Sequence, residues 1–595
     1  VAELLGREGL GAGGLRHGKK KGGRGRTANQ AAEAKRGARE GRMGALCSSG
    51  MKGRPFLAVL LCVAVLALGV GWGGWWLVWK RGPLQLQHHT LTVPRAAQFV
   101  PRQAPLSLYL FSDGEQPVDY ARAVAPLRQR DAATKAVERL RDGAFAAAGL
   151  DYHDELASWL APEIGLSVFD TPEDEVGSSW LLVLPSKDGE GARKFLQRFW
   201  QSRSLAGSGL QISQYRGMGL ISGRGALVGR DPVPLATALV QDDLVLIASG
   251  RTTLERALDV SQIEALNEAG LAALQRGVDQ LGEGMALLVA RSGAFAPWLG
   301  LPAWQDDAVS GAPLLVGALT PHGRQLELKG LVQLQGGAPE TANPSPGPLP
   351  TAQKERKDSE FALLKGVMGE SRSLAILRNP AGLLAQPWLK QLMQPIITPP
   401  AGGPLPPLLA AADPGIFLLS TGPEGWLIGT SNQTPSPETL EAPLAAEGLI
   451  DAPLEVDGES LTVWTRLQAI GGHGGRQGGG EQLQASVAGW RRESDTLAWW
   501  GGNLGLLQGK ASGRSLLARQ QQLEQLAWPD APLRWVLGED AASALIQQWR
   551  PWHLLATVAG GPLAPGLESL AFALEPEDST LRWTARAHFS GSSHG

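Results

Sequence analysis

A short sequence pattern occurs twice in the chain, far apart, and it constrains the fold more than any other feature. Residues 248–252 read ASGRT between an apolar run and a helix-like stretch, and residues 511–515 read ASGRS in a similar setting. Residues 318–321 and 573–576 form a second matched pair, and an alternating stretch follows each of them. Matched landmarks in the same order predict two tandem copies of one unit.

Further landmarks extend this repeat. The matched pairs are residues 106–111 with 373–378, residues 162–166 with 414–418, and Trp180 with Trp426. A Pro- and Gly-rich stretch between the copies is typical of a linker, and a Gly-rich stretch inside the second copy is typical of an inserted loop. The predicted domains are copy 1 at 104–335, a linker at 336–358, and copy 2 at 359–595 with a Gly-rich loop at 471–480.

Each copy mixes strand-like and helix-like segments. Alternating polar and apolar residues in RQLELKGLVQL and TLRWTARAHF predict half-buried antiparallel strands. Residues 210–221 are predicted to form one strand, and residues 120–140 one helix. Strands that pair as hairpins with helices between them belong to the α+β class. The predicted architecture is two tandem copies of a mixed antiparallel-sheet and helix module behind one N-terminal transmembrane helix.

The transmembrane helix is predicted within residues 51–80, because residues 56–79 carry no charge. Such a run is long enough to cross ~30 Å of hydrocarbon at ~1.5 Å per residue. An uncleaved anchor is favoured over a cleaved signal peptide, because Gly69-Val70-Gly71 is a poor cleavage site. Residues 81–103 would then form a juxtamembrane linker.

The charge is distributed unevenly along the chain. Residues 1–54 hold 13 Lys and Arg against 4 Asp and Glu, whereas the part after the apolar run is acidic. Residues 1–50 contain too few apolar side chains to fold, and two interpretations stay open: a basic tail that touches anionic lipid, or a stretch ahead of Met51 that is not translated. The acidic body argues against nucleic-acid binding, because phosphate contacts need clustered Lys and Arg.

The sequence lacks the common catalytic motifs. Cys47 and Cys62 both lie within or before the apolar run, so the body has no cysteine zinc site and no cysteine nucleophile. We find no nucleophile elbow, no HExxH motif and no EF-hand loop. The stretch at 505–512 differs from a phosphate-binding P-loop in its spacing and in Ala511 after the lysine. We therefore predict no catalytic residue, no cofactor and no metal.

The repeated Ser-Gly-Arg turn is the strongest candidate for a binding site. In both copies an apolar strand would lead through the turn into a helix, which Thr252 or Ser515 would cap. Free backbone N–H groups at a helix start, beside an arginine, can hold an anion. A turn reused by duplication, with no ligand, explains the same pattern. The weak anion-binding candidates are Ser249, Gly250, Arg251, Thr252, Ser512, Gly513, Arg514 and Ser515.

A second candidate cluster surrounds His153. Residues 151–155 read DYHDE, and such acids around a histidine could hold a metal or serve a hydrolase. The alternative interpretation is structural. Asp151 is well placed to cap a helix, and Asp154 suits the first turn of one.

Three stretches resemble a known family. They are VPRQAPLSLYL, AGLDYHDELASWLAPEIGLSVF and FLQRFWQSRSLAGSGLQISQYRGMGLISGRG. They are similar to cyanobacterial single-pass membrane-anchored proteins with a domain of unknown function (type 3352), and the resemblance covers nearly all of residues 51–595. It implies an anchored body in the periplasm or thylakoid lumen. It implies no activity and no catalytic residues.

These features predict a protein that acts by binding and not by catalysis. The leading hypothesis is a scaffolding or assembly module for an envelope or thylakoid complex, with the membrane and a protein as its partners. The alternative is a lipid- or hydrophobic-ligand-binding protein that uses an apolar groove between the two copies. A hydrolase with an unrecognised site is the third hypothesis, for which His153 and Asp154 would be tested first.

Overall fold

The structure, a computed structural model, describes most of the chain after residue 81. The chain divides into two units, Val1–Gly73 and Gly74–Gly595, and every described residue lies in the second. The predicted leader, transmembrane helix and Gly-rich loop lie outside the described residues. These residues are 82–169, 179–204, 209–226, 232–304, 312–333, 350–367, 371–397, 408–409, 415–431, 434–446, 448–456, 458–470, 482–494, 496–507, 514–526, 528, 530–561, 566–577 and 580–589.

Among the described residues, twenty strands form one sheet, and we divide it into a first half and a second half. The first half contains β1 (Leu106–Leu110), β2 (Ile164–Phe169), β3 (Ser179–Pro185), β4 (Gln211–Tyr215), β5 (Met218–Ala226), β6 (Pro232–Val240), β7 (Leu244–Ala248), β8 (Ala286–Arg291), β9 (Leu314–His322) and β10 (Gln325–Gln333). The second half contains β11 (Ser373–Arg378), β12 (Ile416–Gly422), β13 (Gly425–Thr430), β14 (Ile450–Val456), β15 (Glu459–Ile470), β16 (Gln482–Arg492), β17 (Ala498–Gly501), β18 (Leu533–Gly538), β19 (Leu567–Glu577) and β20 (Thr580–Phe589).

Helices connect the strands. In the first half the longer helices are α1 (Gln116–Val124), α2 (Arg130–Ala147), α3 (Gly189–Ser204), α4 (Arg251–Ser261) and α5 (Ala272–Leu281). In the second half they are α6 (Pro350–Gly366), α7 (Pro380–Ala385), α8 (Pro387–Leu392), α9 (Pro437–Ala446), α10 (Arg514–Gln525), α11 (Glu539–Gln548) and α12 (Arg550–Val558). The predicted α+β class is confirmed.

The strands of the two halves are paired in the same order. In the first half the order is β4-β5-β6-β7-β3-β2-β1-β8-β9-β10. In the second half it is β14-β15-β16-β17-β13-β12-β11-β18-β19-β20. Each described pair is antiparallel. Every strand of the second half therefore has the pairing position of the strand ten places earlier.

The two halves join along β10 and β20, and we call this strand pair the seam. The two strands run antiparallel over nine residue pairs, from Gln325 opposite His588 to Gln333 opposite Thr580. One apolar cluster also contains side chains from both halves, including Phe295 and Leu315 of the first. The halves therefore share both a backbone ladder and a core.

Central strands and edge strands differ in composition and burial. All five residues of β7 (LVLIA) are buried, as a continuous apolar run predicts for a strand covered on both faces. All six residues of β18 (LRWVLG) are also buried, including Arg534, which pairs with Glu360. In the first half, Leu181 and Val183 of β3 belong to one core, and Leu182 and Leu184 belong to another. At the far end of the second half, β14 is exposed along nearly its whole length.

Two predicted linkers contain ordered structure. Part of the predicted juxtamembrane linker at 81–103 is a short helix, Arg95–Phe99, whose Ala97 and Phe99 are buried in a core. Part of the predicted linker at 336–358 belongs to α6, which begins at Pro350. Proline is favourable in the first turn of a helix, and charged helix-forming residues follow it here. This helix spans the predicted start of copy 2 at residue 359, and the domain boundary stays a prediction.

Within the described ranges, no helix combines the length and the apolar character needed to cross a membrane.

Candidate functional site

The Ser-Gly-Arg turn of the first half is held by the protein itself. Gly250 has a φ of 152°, which favours glycine, and α4 begins at the next residue. The Ser249 Oγ atom accepts a hydrogen bond from the backbone N–H of Trp180 at 2.9 Å. The Nε atom of Arg251 lies 2.7 Å from Oε1 of Glu255 on the same helix. The serine thus fixes the turn to β3, and the arginine is paired within α4.

The predicted cap of this helix is wrong. Thr252 lies inside the first turn of α4, because the helix begins one residue earlier and its N-cap residue is Gly250, without a side-chain hydrogen bond. In the second half, Ser512 and Gly513 lie outside the described residues, while Arg514 and Ser515 open α10. Anion binding at these residues stays a prediction.

His153 lies against an arginine that is buried. Its Nε2 atom is 2.8 Å from the Nη2 atom of Arg141. Because a guanidinium only donates, the ring nitrogen accepts this hydrogen bond. The Arg141 side chain is 6% exposed, pairs with Glu115 at 3.0 Å and lies 4.2 Å from the ring centre of Tyr152. This hydrogen bond occupies the nitrogen that a general base would use.

Asp151 caps the short helical segment that contains His153. Its Oδ1 atom accepts a hydrogen bond from the backbone N–H of Asp154 at 2.8 Å, so the structural interpretation of Asp151 is confirmed. Within the described ranges, no three His, Cys, Asp or Glu side chains come together as a metal site requires.

Sequence reasoning missed a buried carboxyl group in the first half, that of Glu268. Glu268 is 2% exposed and accepts hydrogen bonds from the hydroxyls of Tyr109 and Ser107. Burial raises the pKa of Glu268 to about 7, although these hydrogen bonds and the charge of Arg291 act in the opposite direction. Its backbone N–H donates to the carbonyl of Val100 at 2.8 Å. Glu268 therefore links β1 to the segment that directly precedes it in the chain.

No local pattern marks Glu268 as special. Its hydroxyl partners on β1 stand 161 and 159 residues earlier in the chain. The proximity of these groups is a property of the folded sheet, and no spacing rule in the sequence would have found it.

A second buried carboxyl group lies on the seam. Glu327 of β10 is 3% exposed and stands directly opposite Arg586 of β20. The Arg586 Nε atom lies 2.8 Å from Glu327, and the Lys329 Nζ atom lies 3.0 Å from it. Burial pushes the pKa of Glu327 upward, but the two cations outweigh it and hold that pKa below its usual value. The carboxylate is therefore charged and shared between the halves.

Indole groups connect the halves at a second place. The Trp388 Nε1 atom of α8 donates to the carbonyl of Pro302 at 3.0 Å, and the Trp549 Nε1 atom donates to the carbonyl of Leu299 at 2.7 Å. The ring of Trp304 lies 5.5 Å from that of Trp388. The Nε1 atom of Trp304 is buried and has no hydrogen-bond partner among the described residues.

Comparison with known families places the chain. Residues 60–357 match the family described as "Protein of unknown function (DUF3352)", which is just over half of the sequence. The chain belongs to this family. The DUF3352 match contains all ten strands of the first half and ends inside α6. The predicted domain of unknown function is therefore confirmed.

Other comparisons with this DUF3352 protein add little. Two solved structures, crystal forms IV and I of TP0453, align with TM-scores of 0.22 and 0.25 at 11% sequence identity. The alignments cover 40% and 44% of this chain and 80% and 82% of TP0453. Scores this low do not show a common fold. The comparison with curated proteins found no match.

Proposed function

We propose that this DUF3352 protein is a membrane-anchored, exported protein that acts by binding, as a scaffolding or assembly module for an envelope or thylakoid complex. The observation that carries the proposal is that three buried or clustered titratable side chains are each held by other side chains of the protein. His153 is held by Arg141, Glu268 by Tyr109 and Ser107, and Glu327 by Arg586. Side chains engaged in this way have a structural role in the fold, which supports a protein that acts by binding.

The proposal includes the finer features that the sequence predicts. A single-pass helix within residues 51–80 anchors the chain, and the body lies in the periplasm or thylakoid lumen. The two halves are tandem copies of one unit, which the common order of strand pairings supports. No cofactor or metal is required, and nucleic acid is not a partner.

The test is a pull-down of the tagged full-length protein from native membranes in mild detergent, with quantitative mass spectrometry. We expect one protein partner in near-stoichiometric amount. A matched control carries residues 1–80 on an unrelated soluble body, and it removes proteins that bind the anchor alone. A preparation in which no protein exceeds the level of that control would contradict scaffolding.

A lipid or another hydrophobic ligand is the second candidate, and the indole of Trp304 favours it. A buried donor without a described acceptor is costly, and a carbonyl or headgroup oxygen of a lipid would satisfy it. Apolar side chains of both halves share one cluster, so such a ligand would bind at its margin near Trp388. Organic extraction of the purified protein and mass spectrometry test this candidate: we expect retained lipid, and a Trp304→Phe variant should retain less.

A further inference from the structure

The seam has the geometry of a two-fold interface. Lys329 of β10 stands opposite Ala318 in its own hairpin, and Thr584 of β20 stands opposite Ala573 in the other hairpin, so both lysine and threonine occupy the same hairpin position. These two residues also stand opposite each other across the seam. In such an arrangement each partner offers the same surface to the other, as in a symmetric dimer.

The contacts away from the seam are also reciprocal. In the connection between β8 and β9 of the first half, the Pro302 carbonyl accepts one hydrogen bond from Trp388, which lies between β11 and β12 of the second half. In return, α12, which lies between β18 and β19, packs on α2, which lies between β1 and β2. In both directions, the connection between the eighth and ninth strands of one half contacts the connection between the first and second strands of the other half.

The side chains across the seam are nevertheless not symmetric. Glu327 stands opposite Arg586, and Gly330 stands opposite Trp583. The indole of Trp583 occupies the space above Gly330, and a Cβ atom on that glycine would overlap it. The carboxylate and the glycine are on one half, and the guanidinium and the indole are on the other. The two edges are complementary and not identical.

Self-pairing of either half in the same register would be unfavourable. Two first halves would place Lys329 opposite Lys329 and the buried Glu327 opposite Leu331, since Leu331 has the hairpin position of Arg586. Two second halves would place Arg582 opposite Arg586. Like charges directly opposite each other are destabilising, and so is a buried carboxylate that loses its cation.

We propose that the seam is a recognition surface by which each half selects the other half in preference to a second copy of itself. This inference rests on the proposed tandem relation of the halves. The ion pair of Glu327 with Arg586 and the fit of Trp583 over Gly330 supply the attraction, and the like-charge contacts exclude the self-pairs. Naturally specific interfaces commonly combine attraction of the correct partner with repulsion of the wrong one.

The experiment cuts the linker of the folded full-length chain. A protease recognition sequence is placed between residues 336 and 349, the chain is folded and purified in mild detergent, and the halves carry different tags. After cleavage we expect the halves to purify together in a one-to-one ratio. When two preparations with differently tagged first halves are cut and mixed, first halves should not capture each other. Halves that separate on cleavage, or that exchange freely into self-pairs, would overturn the proposal.

A matched pair of glycine variants tests the contact itself. Gly330→Ala should weaken association of the cut halves at least tenfold, whereas Gly317→Ala, in the same hairpin, should leave it unchanged. At Gly317 the nearest atom to an added Cβ is the Lys329 carbonyl oxygen at 3.5 Å, which is ordinary contact. Equal association of both variants would contradict the proposal.

An Arg586→Leu variant covers the case in which Gly330→Ala does not fold. It gives the second half the residue of the first half at that position and should also weaken association at least tenfold. Undiminished association of the cut Arg586→Leu protein would equally contradict the proposal. These results do not depend on a protein partner or a lipid, so they remain separate from the test of scaffolding.

Discussion

At the scale of single residues, Glu268 makes the stability of the protein depend on pH. Its carboxyl group has a pKa of about 7 in the folded chain against an ordinary value of 4.5. For a raised acid pKa, the folded state is favoured while the group is neutral. This contribution is therefore fully present below pH 4.5 and is lost as the pH rises through about 7.

We expect the thermal midpoint of the wild-type protein to fall between pH 5 and pH 8, by an amount that corresponds to roughly 3 kcal/mol. A Glu268→Gln variant should lose this dependence, because its amide stays neutral. Glu264→Gln changes an exposed neighbour and should keep the wild-type profile. Calorimetric scans across this pH range measure all three proteins. A Glu268→Gln profile that parallels the wild type would refute this role.

At the scale of elements, the sequence predicts the type of a strand or helix better than the positions where a turn interrupts it. The strand predicted over 210–221 is a hairpin, because Arg216 and Gly217 have φ values of 52° and 82° and form a tight turn between β4 and β5. The helix predicted over 120–140 is divided between α1 and α2. Pro126 disfavours helical backbone at Ala125, which is extended, and this signal was readable in the sequence.

The repeated turn shows the same division between what the sequence predicts and what it does not. A strand that leads into a helix at Ser249–Arg251 follows from the pattern of apolar residues. The choice of partner does not, since Ser249 contacts Trp180 of a strand some seventy residues away. Long-range pairing therefore decides the role of Ser249, which the local pattern marks only as an anion-binding candidate.

Substitutions at this turn separate the two roles. Ser249→Ala removes the acceptor for the backbone N–H of Trp180 and should lower the free energy of unfolding by about 1–2 kcal/mol. Thr252→Ala should change it by less than about 0.5 kcal/mol, because Thr252 is exposed and caps nothing. Urea denaturation measures both. A larger loss for Thr252→Ala than for Ser249→Ala would restore the cap assignment.

At the scale of the whole molecule, the sequence predicts two similar halves, but it does not predict how the halves assemble. The matched landmarks at 318–321 and 573–576 fall on β9 and β19, which hold the same pairing position. Nothing in either hairpin indicates that β10 pairs with β20, because both strands alternate like ordinary edge strands. Two modules separated by a cleft and two modules that share a sheet would have the same local sequence pattern, so this pattern cannot distinguish the two assemblies.

The contact between α2 and α12 should reverse the usual effect of a Gly→Ala substitution inside a helix. Alanine in place of a glycine inside a helix usually stabilises the helix by about 1 kcal/mol. A Cβ atom at Gly143 of α2 would overlap the carbonyl oxygen of Val558 at the end of α12. Gly143→Ala should therefore lower the free energy of unfolding, by about 1–3 kcal/mol.

Gly293→Ala is the matched control for this prediction, because no described atom lies within 4 Å of an added Cβ at that position. It should leave the stability nearly unchanged or raise it. Urea denaturation of the full-length proteins, followed through tryptophan fluorescence, compares the two variants. A stabilised Gly143→Ala protein would mean that α12 does not pack closely against α2 in solution.

The position of the seam also imposes an order of events during synthesis. β10 is complete once Gln333 has been made, but its partner strand begins only at Thr580. At ~5–20 residues per second, the ribosome needs on the order of tens of seconds to add the intervening chain. During that interval the outer edge of β10 has no partner, and an unpaired edge invites association with other nascent chains. Glu327 and Lys329 on that edge are charged, and charged residues on an edge strand oppose such association. The side chains that later join the halves would therefore first protect the first half from aggregation during synthesis.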